Sequence, residues 1–178
     1  DLELEKQRAS NIRGKAFKKL DKLLVDFDTN FTKNGGKLMW ANDADEARKM
    51  IYNILTQNKV NKIIKTKSST LEEIGLISYL EMKKIKVIDT NIGDFICSVF
   101  NEKPYNFKSS AIHKNTSQIA DIYTDKFGVS ENLNTKQLTI YTKNILRKEI
   151  YEPEALITGV KFLISNTGSL VFTENEGN

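Results

Sequence analysis

Three groups of residues carry side chains that could do chemistry. Lys65-Thr66-Lys67-Ser68-Ser69-Thr70 sets two ammonium groups and several hydroxyls at a point where a strand-like run gives way to a helix-like one. A turn of that kind offers cations and free backbone N–H groups to a carboxylate or a phosphate. It lacks the glycines of a phosphate-cradling loop, so it gives no support to nucleoside triphosphate binding. The alternative is a capped, solvated helix start. Glu174 and Glu176 lie two apart in Glu174-Asn175-Glu176-Gly177-Asn178, which puts both carboxylates on one side if a strand continues there. A carboxylate so placed can act as a base, a nucleophile or a hydrogen-bond acceptor; the alternative is a solvated acidic turn. His113 is the sole histidine, in Ala111-Ile112-His113-Lys114. With no cysteine nearby it makes no recognisable metal site, and it serves equally well to fix a loop before a helix.

The elements that must position these groups follow from periodicity. Phe17, Leu20, Leu24, Phe27 and Phe31 recur at spacings of three and four, so residues 2–33 read as one long helix, stopped by Asn34-Gly35-Gly36. Residues 37–41 read as a short strand. Asp43 with Glu46 forms a capping-box pattern ahead of a helix carrying Met50, Ile51, Ile54 and Leu55. Residues 61–65 are the next strand, and Thr70 with Glu73 repeats the box before a helix that should bury Ile74, Ile77 and Leu80. A third strand at 86–89 leads into a helix at about 92–100. The polar stretch 101–114, with Pro104, reads as loop. Asn115 with Gln118 caps a helix that Gly128 ends, and 135–149 fits another helix before the strand 155–158. Two last strand-like runs, 160–165 and 169–173, flank Asn166-Thr167-Gly168, a hairpin turn expected within the core sheet. Strand–helix alternation predicts an α/β domain with a mainly parallel sheet flanked by helices and a long N-terminal helix.

The closing pattern TG-x-x-F-x-x-x-x-TG-x-x-x-x-x-ENEGN, over 158–178, resembles the end of the LUD domain of lactate-utilisation B-like iron–sulfur proteins. Segments 65–75, 89–96 and 111–114 resemble the same family in the same order. The resemblance implies a fold of the CoA-transferase and ribose-isomerase type. It implies a ligand site drawn from Lys65, Lys67, Ser68, Ser69, Thr70, Glu73, His113, Thr158, Gly159, Thr167, Gly168, Asn175 and Glu176, with Glu174 as the catalytic candidate by similarity to a CoA-transferase glutamate. This segment reads Glu-Asn-Glu-Gly, a departure that leaves acyl chemistry open. The implied activity is a share in a complex that oxidises L-lactate to pyruvate and passes electrons through 4Fe-4S clusters. The implied division is a helical arm at 1–34 and the α/β domain at 35–178, a piece of a longer protein with a C-terminal iron–sulfur region.

Composition agrees with a globular chain. It has 178 residues, 28% of them charged, a net charge of +4 and a mean hydropathy of -0.42, enough to bury a core without staples. Basic residues are dispersed rather than gathered on one stretch, which argues against a nucleic-acid surface. No apolar run reaches the roughly 20 residues of a membrane span and no signal-peptide pattern opens the chain, so the cytoplasm is the expected location. The single cysteine, Cys97, reads as a small buried hydrophobe. One thiol falls short of the four ligands a cluster takes, so these residues are expected to hold no cofactor or metal alone. The expected partners are other lactate-utilisation subunits, a small anionic ligand and a second copy of the chain. Two rival readings stand beside this one: an autonomous transferase or isomerase acting on a CoA ester or phosphosugar, and a docking module whose first helix binds a partner.

Overall fold

The computed structural model describes residues 1–106, 109–130 and 133–173. They form two compact units, one of residues 1–40 with 160–173 and one of residues 41–159.

The first unit opens with α1 (Leu2–Phe17), capped by Asp1, whose side chain accepts from the Glu3 N–H. Its ion pairs Glu3–Lys6 and Glu5–Arg8 are exposed and it buries no residue. The expected single helix begins at Leu2 but is interrupted at Lys18 and Lys19, and α2 (Leu20–Lys33) follows. The apolar stripe is packed only in α2. Phe27 is buried and stacks on Phe31 at 5.2 Å between ring centroids, whereas Phe17 is 72% exposed and Leu20 44%. Gly35, at φ +90°, ends the helix as expected. Residues 37–41 form no strand; a short apolar alternation becomes one only where a neighbouring strand supplies the ladder, and here none does.

In the second unit α3 (Ala44–Gln57) starts on Asp43, whose carboxylate accepts from Glu46 N at 2.8 Å. Glu46 closes back on the Asn42 N–H at 2.7 Å, one residue earlier than a capping box would. Next come β1 (Lys62–Lys65), α4 (Ser69–Glu73), α5 (Leu76–Met82) and β2 (Lys86–Asp89). The Thr70–Glu73 box does not form, because the helix begins at Ser69, one residue ahead of Thr70, with Ser68 as its N-cap. Gly75 takes the left-handed conformation at φ +61° and resets the helical phase. That is why Leu76 and Leu80 are the fully buried positions of α5, while Ile74 and Ile77 are half-buried.

Helix α6 (Ile92–Val99) is capped by Asn91, which accepts from the N–H groups of Gly93 and Asp94. Helices α7 (Thr116–Phe127) and α8 (Thr135–Ile150) open on complete capping boxes, Asn115 with Gln118 and Asn134 with Gln137, and Gly128 ends α7 at φ +65°. Strand β3 (Ala155–Ile157) completes a three-stranded parallel sheet in the order β2-β1-β3, with Lys65 in register with both Asp89 and Ile157. One apolar cluster gathers Leu55, Ile63, Leu71, Leu76 and Leu80; a second gathers Ile96, Ala120, Tyr123 and Leu138. The expected α/β architecture with a parallel sheet is the observed one.

The final strands, β4 (Phe162–Ile164) and β5 (Ser169–Val171), pair antiparallel as a hairpin. They form a separate two-stranded sheet of the first unit and are not part of the core sheet. The reason lies in α2: Asn30 Nδ2 donates to Ser165 O at 2.8 Å and Asn34 Nδ2 to Thr167 O at 2.7 Å, holding the turn on that helix. Gly168 (φ +63°) lies so close to the backbone of Asn30 and Phe31 that a Cβ would collide with both.

Candidate functional site

Parallel strands deliver their last residues to one edge, the usual ligand edge of an open α/β sheet. Here that edge carries charge. Lys65 and Asp89 end β1 and β2 in register, and Lys65 Nζ pairs with the Asp89 carboxylate although both side chains are largely withdrawn from water. Thr90 closes the join by donating through N and Oγ1 to Lys65 O, at 3.1 and 3.2 Å. Across β1, Thr66 N donates to Ile157 O at 3.0 Å and the Thr66 and Thr158 hydroxyls lie 2.8 Å apart.

The next residue, Lys67, is 7% exposed. Its Nζ donates to Ser110 Oγ at 2.7 Å and stands 3.5 Å from Asp94 Oδ1, while Ser110 Oγ donates to the same carboxylate oxygen. Ser110 is held from both sides, because its carbonyl accepts from Tyr105 N at 2.8 Å and from Cys97 Sγ at 3.3 Å. Asp94 sits in the first turn of α6, where the helix dipole favours a carboxylate. It is 3% exposed, and its other oxygen, Oδ2, is buried with no hydrogen-bond partner among the described residues.

Two lysines and two aspartates are therefore buried at this edge. Burial pushes the Asp89 carboxyl above the usual range, against the pull of Lys65. Burial, reinforced by Asp94, likewise pushes up the Cys97 thiol.

Of the residues expected at a site, Lys65, Lys67 and Thr158 meet at this edge, with Gly159 following directly. Ser68 caps α4 without a side-chain hydrogen bond, and Ser69, Thr70 and Glu73 are exposed on that helix. His113 lies in the same connection as Ser110, but its Nε2 bonds to the Glu102 carboxylate at 2.8 Å and its ring packs beside Tyr105. Lys114 joins the same carboxylate, and the hydrogen bonds from Lys114 first and His113 second hold the Glu102 carboxyl below the usual range. Thr167 and Gly168 belong to the hairpin of the first unit. Glu174, Asn175 and Glu176 lie outside the described residues.

Asp89, Asp94 and Ser110 were not expected. Asp94 left a trace in the sequence, a carboxylate among Ile92, Phe95 and Ile96; Ser110 left none in its polar loop. Among the described residues no three His, Cys, Asp or Glu side chains gather to hold a metal.

The model of the LUD domain matches residues 24–178. Lactate utilization protein B of Bacillus cytotoxicus is 32% identical over 173 residues, which is 97% of this chain and 37% of that protein. Proteins of the same name from Bacillus thuringiensis and Bacillus anthracis are 31% identical over the same length. The chain thus spans 37% of the length of these relatives. No solved structure matches it.

Proposed function

The chain belongs to the LUD domain family, and on that premise we propose that it is the LUD portion of a lactate-utilisation protein and binds L-lactate at the carboxyl edge of its sheet. The observation that carries this reading is the buried Lys67–Ser110–Asp94 chain with Asp94 Oδ2 left unmatched. A buried acceptor without a donor costs about 1–3 kcal/mol. A 2-hydroxycarboxylate supplies what is missing: its hydroxyl donates to Asp94 Oδ2 and its carboxylate is drawn to the ammonium groups of Lys65 and Lys67. Glu174 is proposed as the catalytic carboxylate of the same reading.

Oxidation of lactate to pyruvate releases two electrons and two protons. With Cys97 as its one thiol this chain does not supply a cluster's four ligands. The electrons are assigned to iron–sulfur clusters held outside these 178 residues, in cysteine-rich sequence or in other subunits of a lactate-utilisation complex.

The test is calorimetric titration of the chain with L-lactate and with propionate, which has the carboxylate but no hydroxyl. L-lactate should bind at least about tenfold more tightly, because propionate leaves Asp94 unmatched. Equal binding, or none, refutes the reading.

A further inference from the structure

The charges at the carboxyl edge cancel. Lys65 pairs with Asp89, and Lys67 stands beside Asp94. Lys65, Lys67 and Asp94 are buried, and the Asp89 side chain is 16% exposed. Two ammonium groups against two carboxylates leave no net positive charge among the described residues of the edge. A ligand carboxylate entering there adds a negative charge with no counter-charge left over, and a group withdrawn from water in that position takes up a proton instead.

Position decides which carboxylate takes it. Asp94 lies in the first turn of α6 and accepts from Ser110 Oγ, and both favour its charged form. Asp89 ends β2 and has no helix dipole behind it. The charged groups that act on it are Lys65 of β1, Asp94 of α6 and Glu72 of α4. Burial pushes its carboxyl up, Lys65 pulls it down, and the two carboxylates push it up again. A ligand carboxylate drawn to Lys65 takes the place of Asp89 as partner of that ammonium, and so removes the one group that favours Asp89 ionised.

We infer that a 2-hydroxycarboxylate binds at this edge together with one proton, which goes to Asp89. The inference rests on the lactate reading above. With the edge empty, Asp89 is a carboxylate paired with Lys65; with the edge filled, Asp89 is a neutral carboxylic acid and Lys65 holds the ligand. Asp89 is thus a positioning residue that acts through Lys65.

The test adds L-lactate to the chain in unbuffered solution at matched pH and measures the acid needed to restore that pH, with calorimetry giving the amount bound. About one proton should be taken up per lactate bound near neutrality, and affinity should fall about tenfold for each unit rise in pH. Asp89→Asn, nearly the same shape and unable to ionise, should bind lactate with no proton uptake and no such slope; Asp89→Ser serves the same comparison if the first variant does not fold. Asp89→Glu, which keeps a carboxylate, should retain the uptake. Lactate binding without proton uptake, or uptake that persists without a carboxylate at position 89, overturns this inference and leaves the lactate reading standing. Absence of binding at every pH refutes both.

Discussion

Lys67 Nζ donates to Ser110 Oγ at 2.7 Å across 43 residues of chain, and Ser110 passes a hydrogen bond on to Asp94. One hydroxyl thus bridges a buried ammonium and a buried carboxylate. Removing it should cost stability: Ser110→Ala leaves two buried polar groups short of a partner, a loss of about 1–3 kcal/mol in urea unfolding. Lys67→Met strands the Asp94 charge and should cost more, about 3–5 kcal/mol. The double variant Lys67→Met with Asp94→Leu should recover much of that loss; strictly additive effects would show that the two side chains are not coupled.

Asp89 sets a pH dependence of opposite sign to the usual carboxylate. Its folded-state pKa is raised from 3.8 by burial, so the folded protein holds this proton more tightly than the unfolded chain. Its contribution is fully present below pH 3.8 and is lost as pH rises through the folded value. Asp89→Asn cannot ionise. Relative to wild type, this variant should gain stability as pH climbs from the acid limit toward neutrality, read from urea midpoints. A difference between the two proteins that does not move with pH would contradict the assigned burial.

Gly168 tests the first unit. An alanine there would hold φ +63° against its preference and drive a methyl group into the backbone of Asn30 and Phe31. Gly168→Ala should cost about 2–4 kcal/mol and weaken hydrogen-exchange protection in β4, β5 and the end of α2. Unchanged protection would mean that the hairpin does not rest on that helix.

Cys97 tests the assignment of electron transfer to sequence outside this chain. Incubation with ferrous iron and sulfide under anaerobic, reducing conditions should give no visible cluster absorbance, since one buried thiol with a raised pKa falls short of the ligands required. A stable, protein-bound cluster would show that the ligands come from elsewhere in these residues.

What was legible in the sequence was local. Asn115 with Gln118, Gly128 and the turn at Gly168 signal caps and turns through their neighbours, and each is found where expected. The parallel sheet was legible too, because strand–helix alternation sets β1, β2 and β3 side by side in one direction. Gly75 was overlooked as a break, and with it the phase that buries Leu76. The hairpin's strands were readable but not its neighbour, since hydrogen bonds from Asn30 and Asn34 act across more than 130 residues. Ser110 was unreadable for the same reason: it is one serine in a polar loop until the fold brings Lys67 and Asp94 to it.

The account stands most directly on ligand binding at the Asp94 carboxylate that this serine holds. L-lactate should be titrated calorimetrically into the chain and into Ser110→Ala, each first shown to melt cooperatively. The expected result is saturable binding by the first and at least about tenfold weaker binding by the second, because Asp94 then loses the hydroxyl that orients it. Equal affinity in the two proteins, or no heat of binding in either, would contradict the proposed site.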